Sequence, residues 1–182
     1  TPVIEKLIQK MQTIRSTRLQ LMKAGLSDRG YEAAGFKIVR VLPKALIKGV
    51  GYELHMILEN GAEVFMGDLF AQVYGYDLEI ISYTAAVQER FRGLGVNTVL
   101  AAFSIEDNPQ TEMIDSSLTD VNLSVFQRAL QMGLKPHDAL AKTPAVKLRS
   151  ILGFVVDYSR STIPTRSGDP RLEIIAVRED LL

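Results

Sequence analysis

The sequence contains no cysteine, which excludes disulfide bridges, thiolate metal sites and a cysteine nucleophile. Only two histidines are present, His55 and His137, so a histidine-rich metal site is excluded as well and we expect no metal. A chain without cysteine suits a reducing compartment. We therefore expect a cytoplasmic protein.

A long apolar run is also lacking, because no segment approaches the ~20 apolar residues that cross a bilayer. The N-terminal segment is charged throughout, unlike a signal peptide. There is no excess of either charge, since lysine plus arginine and aspartate plus glutamate both number 21. We therefore expect neither a membrane nor nucleic acid as a partner.

The remaining composition is that of an ordinary globular protein, with 47% hydrophobic and 23% charged residues. A length of 182 residues suits one domain with a sizeable core. No repeat, low-complexity tract or linker interrupts the chain. We therefore predict a single domain that spans residues 1–182.

Hydrophobic periodicity predicts one helix followed by several strands in the first half. Apolar residues recur every three or four positions from Thr1-Pro2 onward, and Gly25 is predicted as the C-cap of this helix. The period changes to two at Phe36. Asn60-Gly61 predicts a tight hairpin turn with both residues at its centre. The predicted strands are 36–42, 52–58, 63–74 and 78–87.

The second half alternates helices and strands. Residues 96–103 are apolar nearly all round, which indicates a buried helix. Gly133 closes a later helix, and turn-forming residues separate the last two strands. The predicted elements after residue 103 are a strand at 112–118, helices at about 119–132 and 144–152, and strands at 154–158 and 172–177. The pattern predicts an α/β (α+β) fold.

The loop between the fourth predicted strand and the following helix, residues 88–97, has the residues of a diphosphate site. Gly93 and Gly95 let the backbone approach a ligand, and free amides at a helix N-terminus favour an anion. Arg90 and Arg92 add positive charge with forked donors. The spacing is neither that of a P-loop nor that of a Rossmann loop. The alternative interpretation is a strand-to-helix turn whose glycines serve packing alone.

This loop resembles that of the GNAT superfamily of acyl-coenzyme A N-acyltransferases. In the family a valine ends the fourth strand, and Arg-Gly-x-Gly-hydrophobic-Gly/Ala opens the third helix. Val87 and the run Arg92-Gly93-Leu94-Gly95-Val96 stand at those positions, with Asn97 in place of glycine or alanine. A second match begins at Asn122 and ends at Gly133-Leu134, with leucine in place of phenylalanine.

The resemblance implies a central mixed, mostly antiparallel sheet flanked by helices. An extra N-terminal helix and a helical insertion near 135–152 would be additions to this fold. It also implies acetyl-coenzyme A or another acyl-coenzyme A as donor, an amine of a small molecule or protein as acceptor, and is compatible with a homodimer. The residues expected to bind the donor are Ala85, Ala86, Val87, Arg92, Gly93, Leu94, Gly95, Val96, Asn97 and Asn122.

Within this set, the main chain of Ala85, Ala86 and Val87 would hold the pantetheine arm and polarise the thioester carbonyl. Donors aimed at a developing oxyanion can contribute ~3 kcal/mol each. Asn122 would contact the donor, as the corresponding asparagine does in the family. The alternative for Asn122 is a cap or strand-end residue.

Transfer of an acyl group to an amine also needs a proton acceptor. Glu79 lies thirteen residues before Arg92. The histone acetyltransferase branch of the family has its catalytic glutamate at that offset. Desolvation on an apolar strand would raise the pKa of Glu79 toward neutrality, and Tyr83 on the same face would order a water. The alternative is that Glu79 faces solvent on a half-buried strand.

The proton donor is less well defined by the sequence. Many family members have a tyrosine seven residues after the asparagine, where this chain has Ala129. Tyr158, His137 and Ser124 are the available substitutes, and Tyr158 is the residue we predict.

Three other functions are compatible with the sequence. The domain could keep the fold as a binding module without turnover, or could use an acyl carrier protein in place of coenzyme A. A nucleic-acid binder using the basic face of the first helix is disfavoured by the zero net charge. The N-acyltransferase is the function we predict.

Overall fold

The computed structural model describes residues 2–42, 49–83, 89–118, 120–164 and 171–182, and the side chains of residues 80–83 and 120 lie outside the description. The chain divides into two compact units. One comprises residues 1–75 and 80–111, and the other comprises residues 76–79 and 112–182.

Among the described residues, seven strands form the sheet. They are β1 (Ala33–Val41), β2 (Gly49–Leu58), β3 (Glu63–Tyr74), β4 (Asp77–Tyr83), β5 (Met113–Ser117), β6 (Phe154–Val156) and β7 (Glu173–Arg178). Their order is β1-β2-β3-β4-β5-β7-β6. The pairs β1–β2, β2–β3, β5–β7 and β6–β7 are antiparallel. The predicted fold class, α/β (α+β) with a mostly antiparallel sheet flanked by helices, is confirmed.

The helices are α1 (Pro2–Asp28), α2 (Val96–Asp107), α3 (Asp120–Gln131), α4 (Pro136–Ala141) and α5 (Pro144–Ile151), with 3₁₀ turns at Glu89–Phe91 and Glu179–Leu181. The predicted extra N-terminal helix is α1, and the predicted helical insertion consists of α4 and α5. Within the described ranges, none of these helices has the length and apolar character that a membrane span requires.

In the first unit, α2 packs against α1 and against strands β2 and β3. Contact with neighbours on both sides explains why its sequence is apolar nearly all round. The prediction of a buried helix is confirmed, although the helix extends to Asp107 rather than to residue 103. Its buried residues are Val96, Val99, Leu100, Ala101, Ala102, Ser104 and Ile105.

The C-terminal end of α2 is held by a polar network around Tyr52, which is fully buried. The Tyr52 hydroxyl donates to Asp107 Oδ2 at 2.6 Å, and Asn108 Nδ2 donates to that hydroxyl at 2.9 Å. Arg40 forms an ion pair with the same aspartate. Burial raises the pKa of Tyr52, so its hydroxyl remains a hydrogen-bond donor. The network fixes the position of α2 on β2.

The first helix does not end at Gly25, so that prediction is wrong. Gly30 ends it instead, with a φ of 87° that places the residue in the left-handed region. The Tyr31 amide donates to the Leu26 carbonyl at 2.9 Å, which closes the final turn. Gly25 lies within the helix, where it faces the side chain of Leu94.

The hairpin between β2 and β3 lies where Asn60-Gly61 predicts it, but its turn is displaced by one residue. The Gly61 amide donates to the Leu58 carbonyl at 2.9 Å, so Glu59 and Asn60 are the central residues. Gly61 follows them with a φ of 84°. The Asn60 side chain accepts from the Ala62 amide at 2.9 Å and stabilises the turn.

The second unit has its own hydrophobic core, to which α3, α4, α5 and the last strands contribute. Ala129, at the position where the family has a tyrosine, is only 7% exposed and belongs to this core. A small residue is therefore needed there for packing. The core residues are Leu118, Phe126, Ala129, Ala139, Leu140, Ala145, Val156, Leu172 and Ile174.

Candidate functional site

The loop before α2 is anchored in the first unit by an aromatic side chain. We call residues 89–97 the glycine loop. Phe91 is fully buried, and its ring centroid lies 5.5 Å from that of Tyr31. The guanidinium of Arg90 stacks over the Phe91 ring at 4.7 Å. The loop is therefore fixed at its start by packing as well as by the helix that follows.

Both glycines of the loop have left-handed backbone conformations, with φ of 79° at Gly93 and 87° at Gly95. Among the described residues, a Cβ at Gly93 would come within 4 Å only of the Arg29 side chain, at 3.8 Å. A Cβ at Gly95 would meet only the Arg18 side chain, at 3.6 Å. Backbone conformation, rather than close packing, therefore requires these glycines.

The first turn of α2 has no side-chain cap. The first bond inside the helix runs from the Val99 amide to the Gly95 carbonyl at 3.1 Å. Amides that precede this bond carry the positive end of the helix dipole. Arg92 is exposed, and Arg18 is partly buried beside Gly95. Neither arginine side chain forms a hydrogen bond or an ion pair with any residue that the structure describes. The helix start therefore has a positive potential.

Arg29, which sequence reasoning missed, holds the glycine loop from α1. Its Nη1 donates to the Arg90 carbonyl at 2.8 Å, and its Nη2 donates to the Arg92 carbonyl at 2.9 Å. The two loop residues lie 61 and 63 positions after Arg29 in the sequence. No local pattern indicates such a contact.

Leu94 packs against α1 at Gly25, which has no side chain. A Cβ at Gly25 would lie 2.6 Å from Leu94 Cδ2, closer than two carbons approach in proteins. Gly25 is therefore required by the position of the loop residue. This contact is the physical reason for the glycine that the periodicity had suggested as a helix end.

Asn97 is the residue at which the loop departs from the family pattern. Its Oδ1 is buried and has no hydrogen-bond partner among the described residues. A buried unsatisfied acceptor costs about 1–3 kcal/mol. The structure therefore gives no packing benefit that explains an asparagine at this position.

Part of the predicted donor site lies outside the described residues. Ala85, Ala86 and Val87 fall there, and so does the side chain of Tyr83. The residues that the structure does bring together are those of the run 92–97. Within the part of the chain that the structure describes, the open glycines, the amides without a side-chain cap and the two arginines without a carboxylate partner fit a diphosphate group.

The second unit contains a group of neighbouring carboxylates on its strands. Burial raises the pKa of Asp115 to about 6, and the charge of Glu173 and the hydrogen bond between the two carboxyl groups act in the same direction. The charges of Glu79 and Asp77 raise it further. The structure therefore places the predicted base, Glu79, within electrostatic reach of a second carboxylate with a pKa near neutrality.

Sequence reasoning did not select Asp115. The residue lies on β5, between Ile114 and Ser116, and is partly buried. A charged residue after an apolar one in a short strand is only weak evidence for a functional site. The raised pKa depends on carboxylates from two other strands, and a sequence does not show which strands are neighbours.

Asn122 lies on α3, and its side chain has a structural partner. Its Oδ1 accepts a hydrogen bond from the Ala145 amide at 2.8 Å, at the start of α5. This contact satisfies a free amide at the start of α5, whose N-cap is Thr143. Contact of Asn122 with the donor stays a prediction.

Tyr158 does not lie on a strand, because β6 ends at Val156. Asp157 ends the strand by accepting from the Ser159 amide at 3.1 Å, which forms a turn. The ring of Tyr158 stacks on His137 with centroids 3.8 Å apart and an interplanar angle of 20°. Both rings reach solvent, and Tyr158 is 38% exposed. The structure thus brings together two of the three predicted proton donors, whereas Ser124 is exposed on α3.

The described part of the chain has no group of three or more histidine, aspartate or glutamate side chains placed to hold an ion.

Comparison with known proteins gives matches only among solved structures. No family model matches the chain. No curated protein matches it either.

The chain is similar in structure to several acetyltransferases. An IAA acetyltransferase from Bacillus cereus ATCC 14579 has 14% identity and a TM-score of 0.42, with 79% of this chain and 99% of that chain covered. A nourseothricin acetyltransferase has 11% identity and a TM-score of 0.40, with 80% and 98% covered. A GNAT family acetyltransferase from Elizabethkingia anophelis with acetyl-CoA bound has 13% identity and a TM-score of 0.43, with 80% and 99% covered.

Proposed function

We propose that the protein is an N-acyltransferase that uses acyl-coenzyme A, most simply acetyl-coenzyme A, and acylates an amine. The observation that carries this proposal is the glycine loop. Gly93 and Gly95 both have positive φ and lead into a helix start without a side-chain cap. That is the backbone arrangement that binds a diphosphate, the charged centre of coenzyme A. We also propose a cytoplasmic location, which the cysteine-free sequence favours.

The donor is assigned to residues 92–97 by charge and backbone geometry. Arg92 and the amides of residues 93–96 would bind the diphosphate, and Arg18 would add a second cation beside Gly95. Acyl-coenzyme A supplies an acyl group activated as a thioester. The roles of Ala85, Ala86 and Val87 toward pantetheine and the thioester carbonyl follow from the family resemblance.

Proton transfer is assigned to the carboxylates of the second unit. An amine that attacks a thioester loses one proton, and the departing thiolate gains one. Asp115 has a pKa of about 6, so it is ionised at neutral pH yet basic enough to accept a proton. We propose that Asp115 and Glu79 share the role of base. Tyr158, whose ring is exposed, is the proposed proton donor.

A second candidate function is a binding module without turnover. Two observations in the second unit favour it. Ala129 is buried in the core where the family has its tyrosine, and Asn122 is engaged with the Ala145 amide. Two residues that the family uses at the donor would then have structural roles here.

Thiol release from acetyl-coenzyme A, measured over a panel of polyamines, amino acids, aminoglycosides and lysine peptides, tests the proposal. The expected result is release above the hydrolytic background with at least one amine. Binding of acetyl-coenzyme A without release across the panel would favour the binding module. Protection of the fold by an acylated carrier protein, but not by coenzyme A, would favour the carrier-protein acyltransferase. An absence of binding to either donor would contradict the assignment of the glycine loop.

A further inference from the structure

The guanidinium of Arg29 binds two carbonyl groups of the glycine loop at once. Nη1 and Nη2 lie 2.8 Å and 2.9 Å from the carbonyl oxygens of Arg90 and Arg92, respectively. The Arg92 carbonyl immediately precedes Gly93, and the Arg90 carbonyl lies two residues earlier. An arginine can satisfy both because its donors project in a rigid planar fork. A lysine would bring a single ammonium group to the same place.

We propose that Arg29 is a positioning residue for acyl-donor binding, an inference that rests on the function proposed above. By drawing the carbonyls of Arg90 and Arg92 toward α1, it leaves the amides of Gly93 and the following residues available to the diphosphate. A carbonyl turned toward a phosphate would repel it, whereas an amide binds it. A loop that is already ordered also loses less entropy when it binds.

The neighbouring contacts of α1 support this role. The ring of Tyr31 packs against Phe91 at the start of the loop, and Gly25 accommodates Leu94 near its centre. With Arg29, these two residues form a continuous support within seven positions of α1 and its C-terminal turn. The extra N-terminal helix would thus help to shape the donor site as well as cover α2.

Arg15 provides a matched control on the same helix. It donates to Glu106 through Nε at 3.1 Å and through Nη2 at 3.2 Å. Arg15→Gln therefore removes a forked contact between α1 and α2 without touching the glycine loop. Arg29→Gln removes the contact to the loop, and Arg29→Lys keeps the charge but not the fork.

The experiment compares these variants of the full chain by two measurements. Hydrogen exchange of the ligand-free protein reports loop order, and calorimetric titration with acetyl-coenzyme A reports affinity. Arg29→Gln should speed exchange of the loop amides by about tenfold, because the local opening energy falls. It should also raise the Kd about tenfold. Arg29→Lys should fall between wild type and Arg29→Gln, and Arg15→Gln should change neither quantity, even if it lowers the Tm.

The two measurements separate failure of this inference from failure of the proposed function. Unchanged loop exchange in Arg29→Gln would show that the arginine does not order the loop, whether or not a ligand binds. Faster exchange with an unchanged Kd would remove the role in donor binding. A wild-type protein without affinity for acetyl-coenzyme A would overturn the proposed function and the donor role together, while the exchange data still decide whether Arg29 orders the loop.

Discussion

The glycine loop of the first unit carries positively charged side chains, whereas the strands of the second unit carry a group of negatively charged ones. At the glycine loop, the side chain of Arg18 lies beside Gly95 and Arg92 is exposed just before the amides that open α2. On the strands of the second unit, Asp115 is surrounded by three other carboxylates. The arginines and amides of the glycine loop favour binding of an anion. Asp115, with its neighbouring carboxylates, retains its proton to a higher pH than an ordinary aspartate does.

Arg92→Glu should raise the KM for acetyl-coenzyme A by about tenfold or more, because a charge reversal beside a diphosphate costs at least ~1.4 kcal/mol of binding energy. The kcat at saturation should change less. Thiol-release kinetics measure both constants. Arg128→Glu, at an exposed position on α3, is the control for a charge change alone. An unchanged KM in Arg92→Glu would count heavily against the loop assignment.

Asp115→Asn should lower kcat by about a hundredfold if this carboxylate accepts the proton. The rate of the wild-type enzyme should rise with pH through about 6, where Asp115 ionises, and this limb should be absent from the variant. The pH profile of kcat is the measurement. Asp68→Asn is a matched control, because burial and the Glu53 charge raise the pKa of Asp68 to about 6 as well. A profile that keeps its limb in Asp115→Asn would exclude Asp115 as the base.

Asp68 also leads to a prediction about stability. Its folded pKa lies above the ordinary value of 3.8, so the folded state holds the proton more tightly than the unfolded state does. Its contribution to stability is therefore present at low pH and is lost as the pH rises from about 4 to 6. Urea unfolding at pH 4.5 and 7.5 should show a smaller loss of free energy in Asp68→Asn than in wild type. Equal losses would contradict the raised pKa.

Between elements, the contact of α1 with the glycine loop depends on the absence of a side chain at Gly25. Alanine in a helix is ordinarily more stable than glycine by roughly 0.5–1 kcal/mol. Here its Cβ would lie 2.6 Å from Leu94 Cδ2. We expect the contacts that Leu94 loses on moving to outweigh this gain in helix propensity.

Gly25→Ala should therefore lower the Tm and weaken binding of acetyl-coenzyme A, since Leu94 must move. The double variant Gly25→Ala/Leu94→Ala should recover much of the loss in Tm, because the clash is removed. Thermal unfolding and calorimetric titration of the single and double variants form a double-mutant cycle. Additive effects on the Tm would show that the two residues are not in contact.

For the whole molecule, ligand binding to the folded state should appear as thermal stabilisation. A donor present at a hundred times its Kd stabilises the fold by about 2.7 kcal/mol. For a chain of this length that corresponds to a rise in Tm of about 5–10 °C. Acetyl-coenzyme A should produce this rise in a thermal-shift assay, and Arg92→Glu should reduce it at the same concentration. An unchanged Tm at saturating donor would contradict the proposed function.

Local sequence patterns predicted the features that depend on neighbours along the chain. The apolar composition of α2 indicated a helix buried on all sides, since a helix surrounded by protein has no solvated face. Gly93 and Gly95 indicated a loop with an unusual backbone, and both have positive φ. The order of elements followed from the hydrophobic periodicity, and the family resemblance that this loop carries implied the mostly antiparallel sheet.

Local reasoning failed where the role of a residue depends on a distant partner. Gly25 has the local form of a helix end, yet its role is set by Leu94. Asn122 has a side-chain partner that the sequence did not show, the Ala145 amide, and its contact with the donor stays a prediction. For Gly25 the local signal was genuine, and a contact between elements determined its role.

The sequence by itself thus determined which segments form helices and strands, and where the backbone must adopt conformations that only glycine tolerates. These properties depend on the period of apolar side chains and on the φ angle of single residues, which are local. The tertiary structure decided that Arg29 holds the glycine loop and that Asp115 has a raised pKa. Hydrogen-bond geometry and electrostatic environment depend on residues that folding brings together from distant positions, so neither could be deduced from the sequence pattern.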